Sequence, residues 1–158
     1  QRITNNVHIV ANARCVATLF VFKRHAIVRS QVKVRTIPVQ HAEQRHVVAP
    51  AAEEHLGSEV VRIRHYGTYA CRNVNHSESG RRSGHARGDA IDIAGFDLAD
   101  GRKVSVLKDW DKETPEARFL SEVHEGACGL FSTVLGPDYN ALHANHFHFE
   151  MAQWGICR

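Results

Sequence analysis

No apolar run in the 158-residue chain reaches membrane-spanning length. The longest, CVATLFVF at 15–22, falls far short of the roughly 20 residues a spanning helix needs, and reads as a buried strand. Strong charge of one sign is missing as well. With 20 Lys and Arg against 17 Asp and Glu, the formal net charge is +3, too small for the footprint of a nucleic-acid-binding domain. Clusters such as Arg81-Arg82 then read as solvated surface. No CxxC pair occurs and no recognition helix carries the histidines, which argues against a Cys-type zinc knuckle and a DNA-binding zinc finger. Internal repeats, low-complexity tracts and a βαβ rhythm are absent too. What remains is an α+β domain, a small mainly antiparallel sheet with flanking helices, in a chain long enough for one compact core.

Four cysteines are present, at 15, 71, 128 and 157. An even count fits two disulfides and an oxidising compartment, with three connectivities open; four buried thiols are the alternative. The chain begins at Gln1, as either a processed or a trimmed protein would.

SQVKVRTIPV (30–39) alternates, predicting extended structure that ends near Pro38. Residues 41–56 read as helix, broken near Pro50 and stopped at Gly57. EVVRIRHYG (59–67) reads as a strand, and 72–89 as a polar loop. AIDIAGF (90–96) and RKVSVL (102–107) read as neighbouring strands around an Asp-Gly turn. Residues 113–131 make the strongest helix: Thr114 caps it, Pro115 suits its first turn, and Ala117, Phe119, Leu120, Val123 and Ala127 form its apolar face. Residues 135–144 read as loop. NHFHFEM (145–151) alternates as a strand, with Phe147 and Phe149 on one face and His146, His148 and Glu150 on the other.

Histidine is the outlier, with 12 copies. Three of them, His143, His146 and His148, fall within six positions, and neutral imidazole is a good zinc ligand. SGHARGDAIDI (83–93) supplies the complement. Ala90 and Asp92 face one way and Ile91 and Ile93 the other, and a buried aspartate between isoleucines is costly unless paired or metal-bound. A lone HxH means little. His85 from the loop, Asp92 from the following strand and one histidine of HFH make three ligands plus an open position, the pattern of a catalytic rather than a structural zinc site.

The stretch SGHARGDAIDI resembles the SxHxxGxAxD signature of LAS-type zinc peptidases, the group of lysostaphin, D-alanyl-D-alanine metallopeptidases and the hedgehog signalling domain; Ser83, His85, Gly88, Ala90 and Asp92 match. HANHFHFEM is similar to the HxxHxH end of penicillin-insensitive murein endopeptidases. More closely, residues 47–158 resemble the bacterial extensin-like C-terminal domain, through YGTYACRNVN, GHARGDAIDIAGFDLADGRKVSVLKDW, GACGLFSTVLGPDYNALHANHFHFEM and the closing GICR. Residues 1–46 match poorly and are expected to form an extended segment packed on or prolonging that domain.

The resemblance implies a LAS/hedgehog-type fold with Zn2+ held by His85, Asp92 and His148. It implies His146 as catalytic histidine and His143 as a neighbouring catalytic or substrate-facing candidate. Some relatives carry a glutamate base three residues before the last ligand; here that position is Asn145, so histidine takes the role. Arg72 is a candidate for a substrate carboxylate, with a structural ion pair as the alternative. Ser83 is expected to shape the loop, and Glu150 to orient an imidazole or lie in solvent. Zinc would acidify water and polarise the scissile carbonyl. The expected function is hydrolysis of peptide bonds in peptidoglycan cross-links or stem peptides, endopeptidase favoured, in the periplasm or outside the cell. The rival is a zinc-containing binding module for cell wall or protein. Export favours disulfides, with Cys128–Cys157 and Cys15–Cys71 as the expected pairs.

Overall fold

The computed structural model describes residues 20–22, 25–27, 43–153 and 155–158. The strand expected over 30–39 lies outside the described residues, and of the 15–22 run the last three residues are described. Strands β1 (Phe20–Phe22) and β2 (His25–Ile27) pair antiparallel as a two-stranded ribbon.

Residues Gln44–Val48 form a wide π-type turn that runs directly into helix α1 (Ala49–Leu56). Pro50 therefore does not break the helix; it stands in the first turn of α1, where its missing N–H costs nothing, and the wider turn precedes it. Gly57 stops α1 in the left-handed region at φ 58°.

Strand β3 (Val60–Gly67) pairs with the long β4 (Ala90–Leu98). The other edge of β4 is shared: its second half pairs with β5 (Lys103–Ser105) and its first half with β7 (Phe147–Glu150). The strand β6 (Thr133–Leu135) closes the order β3-β4-β7-β6, and every pairing is antiparallel. The expected α+β class with a small antiparallel sheet is what the chain adopts.

Two local expectations shift. RKVSVL is strand only to Ser105; Val106–Asp109 turn into helix α2, because the Asp109 carboxylate reaches back to accept from Ser105 N–H at 2.9 Å. Strand β6 covers residues 133–134, for which the sequence predicts no element, and Leu135, the first residue of what read as loop.

Helix α3 (Pro115–Ala127) has Pro115 at its start, and Thr114 Oγ1 accepts from Ala117 N–H at 3.2 Å. Its face of Ala117, Phe119, Leu120, Val123 and Ala127 is buried. Together with Val48, Ala51, Ala52 and Leu56 it covers Ile91, Ile93, Phe96, Phe147 and Phe149 of the sheet. Phe96 and Phe119 meet edge to face at 5.1 Å. That packing locks the phase of β4 and β7, so their alternate residues, Asp92 and His148, must leave the apolar layer.

Cys128, just past α3, is bonded to Cys157 with Cα atoms 5.8 Å apart. Cys71 is disulfide-bonded as well; the expected partner, Cys15, lies outside the described residues.

Candidate metal centre

The site begins with register. In the β4–β7 ladder Asp92 stands opposite His148, flanked by the apolar pairs Ile91↔Phe149 and Ile93↔Phe147. The core side chains therefore force Asp92 and His148 to the same face at the same height. His148 Nδ1 lies 2.8 Å from Asp92 Oδ1.

His85 arrives from the loop. Residues Gly84–Arg87 form a short 3-10 turn, in which Ser83 Oγ accepts from His85 N–H at 3.2 Å and Gly88 closes the turn. This holds His85, buried, with Nε2 3.1 Å from Asp92 Oδ2 and 3.2 Å from His148 Nδ1. Two ligand atoms about 2.1 Å from one zinc ion at a tetrahedral angle lie about 3.4 Å apart. The three distances, 2.8, 3.1 and 3.2 Å with one Asp92 oxygen toward each ring, are all somewhat shorter than that value, and two imidazole nitrogens with one carboxylate are a donor set that suits zinc. The residues present fit the ion.

The same groups are coupled electrically, and a metal bound here would displace the proton that His148 holds. Burial opposes ionisation of Asp92, but hydrogen bonds and charge from His148 and His85 outweigh it, and its carboxyl sits below the ordinary range. Burial would also hold His148 neutral, yet Asp92 and Glu150 on either side push its pKa up to about 9. His148 Nε2 donates to Glu150 Oε2 at 3.2 Å, so Glu150 backs the ring and is not a solvated residue past the site.

The other expected residues gather beside the triad. His146 Nε2 is 3.6 Å from Asp92 Oδ1. The His143 ring centroid is 5.2 Å from that of His146 and 5.9 Å from that of His148. Burial depresses the pKa of His146, and takes that of His143 down to about 4 with help from the neighbouring rings; the charge of half-buried Arg72 adds to both effects.

Two other groups of side chains among the described residues approach ligand spacing. In one, His124, Cys128 and Cys157, both sulfurs are spent in the disulfide. In the other, Glu54, His55 and Glu122, the surface ion pair His55–Glu122 at 2.6 Å already satisfies the ring.

The family of extensin-like protein C-termini matches residues 6–158. The chain belongs to that family. No curated protein and no solved structure matches it. The family match reaches back through nearly all of residues 1–46, so the extensin-like sequence extends well before residue 47.

Several contributors to this extensin-like site escaped the sequence reading. Tyr66, at the end of β3, meets the His146 ring edge-on at 5.8 Å, and Tyr139 meets His143 at 5.5 Å. Asn145, expected on the phenylalanine face of a longer strand, precedes β7 and instead accepts from His146 Nδ1 at 2.7 Å. Asn140 accepts from His143 Nδ1 at 2.8 Å. Arg87 binds Glu150 at 2.8 Å. The alternation of EVVRIRHYG was the one available signal for Tyr66, and Asn145 was marked only as the position where some relatives carry a glutamate; nothing in the sequence marked the rest.

Proposed function

We propose that this extensin-like domain is a zinc-dependent peptidase that hydrolyses peptide bonds in peptidoglycan cross-links or stem peptides, with endopeptidase action favoured. The observation that carries the reading is the convergence of His85 Nε2, Asp92 and His148 Nδ1 within 2.8–3.2 Å of one another, with two further histidines and an arginine beside them. The match of Ser83, His85, Gly88, Ala90 and Asp92 to the LAS signature supports kinship with those peptidases and with their fold. The family and the disulfide agree with a periplasmic or secreted location, and among the described residues no helix is long and apolar enough to cross a membrane.

A zinc ion at the triad supplies Lewis acidity, which polarises a carbonyl and acidifies water. The chain's own residues do the rest. Asn145 accepts from His146 Nδ1, which fixes the tautomer that leaves Nε2 free to take a proton and return it to the leaving amine. His143, held by Asn140, flanks that position. Arg72 offers a planar fork to a substrate carboxylate.

Mass spectrometry of muropeptides after incubation with the zinc-loaded protein tests the proposal. New peptide fragments are expected, and a chelator abolishes them. A protein that holds zinc and sediments with sacculi yet releases no fragment is a binding module, and overturns the peptidase reading.

A further inference from the structure

We infer that Glu150, clamped by Arg87, is a positioning residue that decides which nitrogen of His148 faces the metal. The inference rests on the zinc reading above and deepens it.

His148 lies between two carboxylates. Its Nδ1 is 2.8 Å from Asp92 Oδ1 and its Nε2 is 3.2 Å from Glu150 Oε2. Only Nδ1 also neighbours His85 Nε2, at 3.2 Å, so Nδ1 is the ligand side. A neutral imidazole carries one N–H, and the ligand nitrogen must be the one without it. Once Asp92 and Nδ1 share an ion, the remaining acceptor, Glu150 at Nε2, holds the single N–H there, and an ionised carboxylate is acceptor-only.

Glu150 is itself held. Arg87 Nη2 donates to Glu150 Oε1 at 2.8 Å, while its Nε donates to Asp89 Oδ2 at 3.0 Å and its Nη1 to Arg82 O at 3.2 Å. Arg87 belongs to the same turn as His85, and Glu150 to the same strand as His148. The clamp thus ties the loop of the first ligand to the strand of the third. Gly84 leaves the room for it: a Cβ there would collide with the Glu150 carboxylate.

The test is zinc affinity by chelator competition, with the visible spectrum of the cobalt-substituted protein, on wild type, Glu150→Ala, Glu150→Gln and Arg87→Ala. Glu150→Ala weakens zinc by about 10–100-fold and shifts the cobalt bands. Glu150→Gln, which still offers an oxygen to Nε2, recovers part of the loss. Arg87→Ala gives a smaller loss in the same direction and serves if Glu150→Ala does not fold. A lower melting temperature of the metal-free protein with unchanged affinity and spectrum makes the pair a plain structural tie, and overturns the inference. Wild type that takes up no zinc overturns the zinc reading and this inference together; equal uptake by wild type and Glu150→Ala overturns the inference alone.

Discussion

His146 Nε2 stands 3.6 Å from Asp92 Oδ1, beside the group of converging ligand atoms and outside it. Only one residue separates His146 from His148, yet the two rings have different partners. His148 is fixed between Asp92 and Glu150, whereas His146 is fixed from behind by Asn145 and bordered by Tyr66 and His143. The division of labour follows from where the strand begins: β7 starts at Phe147, so His148 has a register partner on β4 and His146 has none.

The first prediction follows from that division. His146→Ala keeps one zinc per chain, with affinity within a few-fold of wild type, while peptide hydrolysis falls by about 10²–10⁴-fold, the usual worth of a positioned acid–base group. Metal analysis of the purified variant beside its turnover of muropeptides checks both halves. Loss of the metal would make His146 a ligand.

Asp92→Asn separates in the opposite direction. Asp92 touches both His85 and His148, at 3.1 and 2.8 Å. Replacing its charge with an amide removes an anionic ligand and leaves the two rings facing a neutral group. Zinc affinity falls by more than the roughly 100-fold that the loss of an outer-sphere partner costs. Titration against a chromophoric chelator measures it, and wild-type affinity in the variant would dismiss the triad as a metal site.

Much of this centre was legible in the sequence because it lies on strands. Alternation in DAIDI and HFHFE sets which side chains share a face, and burial of Ile91, Ile93, Phe147 and Phe149 settles which face that is. The helix over Pro115–Ala127 was legible for the same reason: cap, proline and apolar stripe agree. What stayed hidden depends on contacts between distant segments. The three residues of β6 are strand only because β7 and the bridge to Cys157 lie beside them. Arg87 reads as one more loop cation until Glu150, 63 positions on, is seen against it. Asn145 looked like the loss of a base, and its use as a partner for His146 shows only in three dimensions.

The disulfide yields a third prediction. Cys128 and Cys157 lie 29 positions apart, and the segment between them contains β6, His143 and β7. On either side of Cys157, Val134 N–H donates to Ile156 O at 2.8 Å and Arg158 N–H to Val134 O at 2.9 Å, so the C-terminal segment rides on β6. Closing a loop of this length is worth about 3–4 kcal/mol through the entropy of the unfolded chain. The Cys128→Ser/Cys157→Ser double variant loses about that much stability in urea unfolding, and the Val134 amide exchanges with solvent sooner than the amides of β4. An unchanged midpoint with an equally protected Val134 would show that the bridge adds nothing to packing.

Glu43 offers a pH signature away from the metal. It is fully buried at the start of the wide turn before α1, and neither carboxylate oxygen has a hydrogen-bond partner among the described residues. Burial raises its pKa from the ordinary 4.5 to about 8. The folded chain therefore keeps a proton that the unfolded chain gives up, and stability must fall where only the unfolded chain releases it. The contribution is complete below about pH 4.5, declines as pH rises, and is gone once the folded group ionises above about pH 8. Glu43→Gln, an uncharged stand-in for the protonated acid, removes this slope. Its unfolding free energy relative to wild type climbs between pH 5 and 8 by on the order of a few kcal/mol. Urea unfolding of both proteins with a chelator present, so that pH-dependent metal uptake does not intrude, reads the difference directly. Parallel curves across that range would mean that Glu43 finds its charge compensated, and that its burial costs the fold nothing at neutral pH.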